Sequence, residues 1–231
     1  MKLRNCYTTF TASALLLGAV MLPIGMAIRP LVVEQNFNFQ LSDFTTIAAH
    51  RSIWILSYQI FVFGLFMRLA GLVALGTLHG QAAARTVLYP GIAICAVALV
   101  VNALTSGYYM HMGFWATEEL KGATDAARAS FLASLRPGGE WAICLERMAK
   151  MFFSFGLVVL GSGLMLGKLV AKPLGVAALL IGIAGMAALF AAPFSKTIFI
   201  PFDIAIALWF AALGGTIFLG VTQPEPTPGT T

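Results

Sequence analysis

Charge is what this sequence has least of. Only 10% of its 231 residues are Asp, Glu, Lys or Arg, while 59% are hydrophobic. A soluble domain carries about a quarter charged residues. So few cannot cover a water-facing surface, which excludes an ordinary soluble fold. The basic excess is small, a formal +5, and its members are scattered along the chain. With no basic stripe or patch, nucleic-acid binding is excluded as well. Cysteine is also sparse. Cys6, Cys95 and Cys144 lie on separate segments without a CxxC pair, so neither a disulfide framework nor a thiolate metal site is indicated. They read as small buried hydrophobes. Strand-like alternation is missing, and no serine sits in a GxSxG context that would mark a nucleophile.

Long apolar runs fill the chain in place of charge. A membrane span needs about 20 mostly apolar residues. Six stretches meet that length: 8–28, 53–78, 87–110, 148–167, 173–194 and 202–222. Lipid offers no partner to a free backbone N–H or C=O, so each must be helical. The first run is longer than a signal-peptide core of about 7–15 residues and has no small-x-small site after it, so an uncleaved first span is expected. The expected fold is therefore all-α. It is a polytopic transmembrane bundle of six spans forming one domain, 1–222, followed by a disordered proline- and threonine-rich tail, 223–231.

The connections differ in kind. Segments 79–86 and 168–172 are short turns, and Pro173 suits the first turn of a helix. Segments 29–52 and 111–147 are long and mixed. Within the second, 116–135 spaces Leu120, Ala123, Ala127, Phe131 and Leu135 at helical intervals with charges between them. That pattern predicts a short amphipathic helix lying on the outer face. In the first, VEQNFNFQL reads as extended, and Ser42 or Asp43 as a cap for a helix running into the second span. Lys2, Arg4, Arg85, Lys168 and Lys172 crowd one side more densely than Arg29, Arg51, Lys121, Arg128, Arg136 and Lys196 crowd the other. The positive-inside rule then puts both termini in the cytoplasm, most naturally at a bacterial inner membrane, with both long connections outside. Trp54, Trp115 and Trp141 fall at the outer interface, as in an aromatic belt.

The stretch GGEWAICLERMAKMFFSFGLVVLGSGLMLG loads charge onto the start of the fourth span. Counting back along the helix puts Glu140 in water, Glu146 and Arg147 at the boundary and Lys150 about one turn inside. Glu146 and Lys150 are i and i+4, a favourable pairing. One reading is an interfacial collar of ion pairs. The other uses neighbours at similar depth: His50 and Arg51 opening span two, Asn102, Thr105, Tyr108, Tyr109 and His111 in span three, and Lys196 and Asp203 flanking span six. Polar groups inside lipid usually face a bundle interior or a water-filled cavity. An outward-facing polar pocket among spans two, three, four and six would gather them. Arg68 stands apart, about 15 Å of helix before Leu78. No acid is expected at its depth, since Glu146 and Asp203 count to the other leaflet. It either snorkels toward inner-leaflet phosphates or faces inward, where it would need Ser162, Thr216, freed carbonyls or an anionic ligand. The candidate ligand-binding residues are thus Arg68, Asn102, Tyr109, His111, Glu146, Arg147, Lys150 and Asp203.

Cofactor signals are weak. Met110, His111 and Met112, with Met148 and Met151 nearby, carry copper-binding chemistry, but residues i and i+2 point apart on a helix. His50 and His111 lie at one edge and His79 at the other, which leaves no matched pair for haem. No cofactor or metal is expected. The partners expected are the bilayer itself and other membrane subunits or further copies, met through small-residue faces such as that of Gly163 and Gly167. The leading functional reading is a non-enzymatic accessory subunit or a small-molecule- or lipid-binding membrane component. The alternatives are an intramembrane enzyme acting on a terpenoid or lipid by carboxylic acid catalysis through Glu146 and Asp203, or a small transporter using the breaks at Pro23, Pro193 and Pro201.

The closing pattern KPLGVAALLIGIAGMAALF followed by DIAIALWFAALGGTIFLG, with Trp209 and Gly214–Gly215, resembles the C-terminal half of a bacterial family of uncharacterised six-helix integral membrane proteins, a domain of unknown function. The long second helix ending in Arg68–Leu78 is similar too. The resemblance implies a six-helix membrane fold and no particular activity. The His50–Arg51 pair and the charged start of span four depart from it.

Overall fold

A computed structural model describes residues 2–29, 40–78, 82–167, 170–191 and 199–220. Seven helices are present among them: α1 (Lys2–Ile28), α2 (Leu41–Ala49), α3 (Arg51–Leu78), α4 (Ala82–Glu119), α5 (Asp125–Leu166), α6 (Lys172–Ala191) and α7 (Phe199–Phe218). All but α2 are long and apolar enough to cross a membrane, which gives the six spans of an all-α multi-pass bundle. His79, Lys168, Pro193, Lys196, residues 33–39 of the VEQNFNFQL segment and the 223–231 tail lie outside the described residues, while the last residue of that segment, Leu41, already begins α2.

Each long helix packs against the next, and α7 closes back on α1, so six helices form a ring. The bundle has two distinguishable ends. One carries α2 and the α4–α5 turn; at the other, α1 begins and α7 finishes. Around the ring, glycine lets backbones approach where a side chain would collide. A Cβ on Gly64 of α3 would stand 2.8 Å from the Leu22 nitrogen of α1, and one on Gly163 of α5 the same distance from the Leu88 nitrogen of α4. Between lipid-embedded helices, such close packing replaces the hydrophobic drive that water would otherwise supply. A leucine-rich core, with Leu15, Leu72, Leu75, Leu88, Leu160, Leu164 and Leu213 fully buried, fills the ring away from α2.

Beyond the spans the long helices keep going. At 1.5 Å per residue, the 38 residues of α4 and 42 of α5 reach about 57 and 63 Å, against about 30 Å of hydrocarbon. The helicity expected of 116–135 is present, but it belongs to the last turns of α4 and the first turns of α5. A tight turn with Gly122 at φ 73° joins them. Thr124 caps α5, its hydroxyl accepting from the Ala127 N–H at 3.3 Å. The short helix beside them is α2, with Asp43 accepting from the Gln40 N–H at 3.1 Å. Phe44 and Ile47 of α2 pack on Trp54, Met112, Ala116, Leu120 and Leu135, forming a second apolar cluster outside the main one. Trp54 is accordingly 2% exposed and faces this interior, not the lipid belt where sequence position put it.

Candidate functional site

The periodicity that builds α3 also builds the site. Trp54, Tyr58, Phe61, Leu65 and Arg68 recur at alternating steps of four and three, so they share one face. That face turns inward at the α2 end of the ring, where the helices enclose a cavity of about 570 Å³. Asn102, Thr105, Ser106 and Tyr109 line it from α4, Glu146, Ala149, Lys150 and Phe153 from α5, and Phe202, Asp203 and Ile206 from α7. Leu22, Pro23, Met26, Ala27 and Arg29 line it from α1 and the residue that follows it. A volume of this size falls in the range of small-molecule sites, about 300–1,000 Å³.

Six of the eight candidate residues, Arg68, Asn102, Tyr109, Glu146, Lys150 and Asp203, lie on this cavity. His111 is exposed on α4 and Arg147 is half-buried; neither lines it. Sequence counting missed the first span as a wall, and with it Arg29. The even face of α3 was the signal that would have brought Tyr58 and Phe61 in.

Arg68 differs most from expectation. It is 3% exposed and does not reach lipid phosphates. Its Nε donates to the Gly18 carbonyl of α1 at 3.1 Å, and its guanidinium lies 4.7 Å from the Phe210 ring centroid. Gly18 makes this possible, because a Cβ there would stand 2.6 Å from the Arg68 Cγ. The direction follows from helix geometry. Cα–Cβ bonds tilt toward the N-terminus of a helix, and α3 starts at the α2 end, so Arg68 reaches back into the cavity. There it meets the field of Asp203, which lines the same space. The expectation that no acid shares its depth is therefore corrected. Counting residues fixes the depth of a Cα, whereas a long side chain spans another turn. Arg68 Nη2 remains buried without a hydrogen-bond partner.

The remaining charges are arranged around it. Lys150 Nζ donates to Glu146 Oε1 at 3.2 Å and stands 4.4 Å from the Phe199 ring centroid, so the expected i,i+4 pair exists and faces the cavity. Arg29 lies over Tyr58 and Phe61, 4.0 and 4.2 Å from their ring centroids, with Nε and Nη2 buried and unpartnered. Thr105 and Ser106 donate to the Val101 and Asn102 carbonyls of their own helix, at 2.9 and 2.8 Å. Three cations, Arg29, Arg68 and Lys150, thus share the cavity with two carboxylates, Glu146 and Asp203. Chemically the arrangement offers unspent N–H donors and a net positive charge inside apolar and aromatic walls. Among the described residues no three His, Cys, Asp or Glu side chains come together as a metal cluster.

The fold and cavity together define a multi-pass helical bundle with a charged pocket within its spans. No protein-family model, curated protein or solved structure matches the chain.

Proposed function

We propose that the chain is a non-enzymatic, small-molecule- or lipid-binding component of the membrane, holding an amphiphile with an acidic or strongly accepting group in this cavity. The observation that carries the reading is Arg68: a guanidinium 3% exposed, with one nitrogen lacking any acceptor, inside a mid-bundle space large enough for a ligand. An arginine at the centre of a spanning helix costs about 2.5–3.5 kcal/mol on insertion scales. A bound anion offsets that cost and satisfies the free donor. The positive-inside count adds that the α2 end, and so the cavity near it, lies toward the non-cytoplasmic side of a bacterial inner membrane. The carboxylic-acid alternative rests on Glu146 and Asp203; Glu146 is engaged as the acceptor of Lys150, which leaves that reading to Asp203 alone.

The test is to purify the full chain in mild detergent and extract bound small molecules for mass spectrometry, beside Arg68→Leu. A stoichiometric acidic amphiphile in the native protein, lost in a well-folded variant, supports the reading. A native protein that carries and accepts no such molecule sinks it.

A further inference from the structure

The rim of the cavity shows how it is filled. On α7, Ile200 and Ile204 line the cavity, yet they are 41% and 55% exposed. Ala27, across from them on α1, is likewise both a lining and an exposed residue. The 20 residues of α7 span about 30 Å, the thickness of the hydrocarbon layer, and Ile204 is five residues from its start. A side chain at that depth that belongs to both the cavity wall and the outer surface marks an opening toward acyl chains. Further along, the same two helices are closed, since a Cβ on Gly214 would stand 3.0 Å from the Leu16 Cγ and 3.1 Å from the Ala12 carbonyl oxygen. Pro23 sits in α1 beside the opening and has no N–H for the Ala19 carbonyl, which loosens the last turns of α1.

Charge selects the occupant. Lys150 is bound to Glu146, and Arg68 faces the field of Asp203. Among the described residues neither Arg29 nor Arg68 makes an ion pair, and Arg29 is the cation with two buried donor nitrogens unused and no hydrogen bond such as the one Arg68 gives to Gly18. It directly follows α1, at the level where headgroups begin.

Resting on the reading above, we propose that the cavity is loaded sideways through the gap between α1 and α7. Its occupant is an anionic lipid, whose phosphate or carboxylate is held by Arg29 while an apolar chain enters the cavity. The source is the bilayer leaflet at the α2 end, not the aqueous phase.

The experiment uses the full chain in phosphatidylcholine nanodiscs doped with phosphatidylglycerol carrying a diazirine in one acyl chain, with photolysis followed by peptide mapping. Fragment spectra of the labelled peptides assign the adduct to single residues, and label is expected on Ala98 and Ala149 themselves, which are 1% and 2% exposed and out of reach of bulk lipid, unlike their neighbours Val97 and Met148. Ile204→Trp, which obstructs the gap, and Arg29→Gln, which removes the charge, each reduce that label by about tenfold. Ile183→Trp on the lipid face of α6 does not. A diazirine phosphatidylcholine labels the cavity peptides weakly. If Ile204→Trp fails to fold, Ile200→Trp and Ala27→Trp obstruct the same gap. No cavity label in the native protein would overturn both this proposal and the binding reading. Native label undiminished by the obstructing variants overturns the lateral path and leaves binding standing. Equal labelling by both lipids, or none lost in Arg29→Gln, overturns the charge selection. Displacement of the label by inorganic phosphate or by a water-soluble short-chain phosphatidylglycerol, persisting in the obstructed variants, would show an aqueous source instead.

Discussion

Arg68 concentrates the chemistry of this protein in one side chain. Its Nε is committed to the Gly18 carbonyl, its Nη2 is unspent, and the Asp203 carboxylate opposes its charge from across the cavity. Removing only this cation takes away one of the two positive charges, Lys150 and Arg68, that act on the Asp203 carboxylate. Breaking a contact ion pair from one side in full burial costs about 3–5 kcal/mol; Arg68 and Asp203 share the cavity without an ion-pair contact, and Asp203 is half-buried, so a smaller loss is expected. Arg68→Leu should lower the melting temperature in detergent, and Arg68→Leu with Asp203→Asn should recover much of it. The double-mutant cycle should give a coupling of about 0.5–3 kcal/mol, and strictly additive losses would show that the two do not interact. Glu146→Gln is expected to be mild. The side chains of Lys150 and Glu146 are 18% and 39% exposed, so the pair contributes no more than about 1 kcal/mol by the same melting measurement. The residues that share the cavity were largely visible in the sequence as polar side chains at similar depth. Arg29 was not, because an arginine at the end of an apolar run looks like any flanking charge until the aromatic rings beneath it are known.

Helix contacts are set by small residues and turns. Gly64→Val pushes a side chain into the α1 backbone at Leu22 and should destabilise the bundle by about 1–3 kcal/mol or more. Gly107, also helical, has nothing within 4 Å of where an added Cβ would stand, so Gly107→Ala should be neutral or stabilising by about 0.5–1 kcal/mol. Monodispersity and melting in detergent measure both; a Gly64→Val protein as stable as the native one would refute the close α1–α3 contact. Apolar runs told where the helices are, but not where the third and fourth end. Charges at 116–135 looked like a separate surface helix. The structure continues α4 and α5 through them because the outer turns bury Ala116, Leu120 and Leu135 against α2 and Trp54. Helix propensity is continuous there, and only packing separates one helix from two.

The molecule as a whole is a ring of spans with a helical crown at one end. In a background with Cys6 and Cys144 replaced by serine, cysteines at Glu118 and Glu140 should react with an impermeant maleimide from the non-cytoplasmic side, and one at Arg85 only from the cytoplasmic side. Labelling of 85 together with 118 from one side would break the six-span count. Hydrogen exchange should also divide the chain, with α2 and the α4–α5 turn exchanging faster than the leucine-rich half, because their backbone lies beyond the hydrocarbon layer.

Composition and run length were sufficient for membrane class, helicity and the number of crossings, since lipid leaves a greasy chain almost no alternative backbone. Helical periodicity was sufficient for which residues on one helix share a face. Which faces meet was a matter of packing between distant segments: α1 entering the pocket wall, Gly18 making room for Arg68, and Asp203 approaching it from the last helix. Those contacts depend on side-chain reach and on the closure of the ring, and neither is written in the order of residues along any single span.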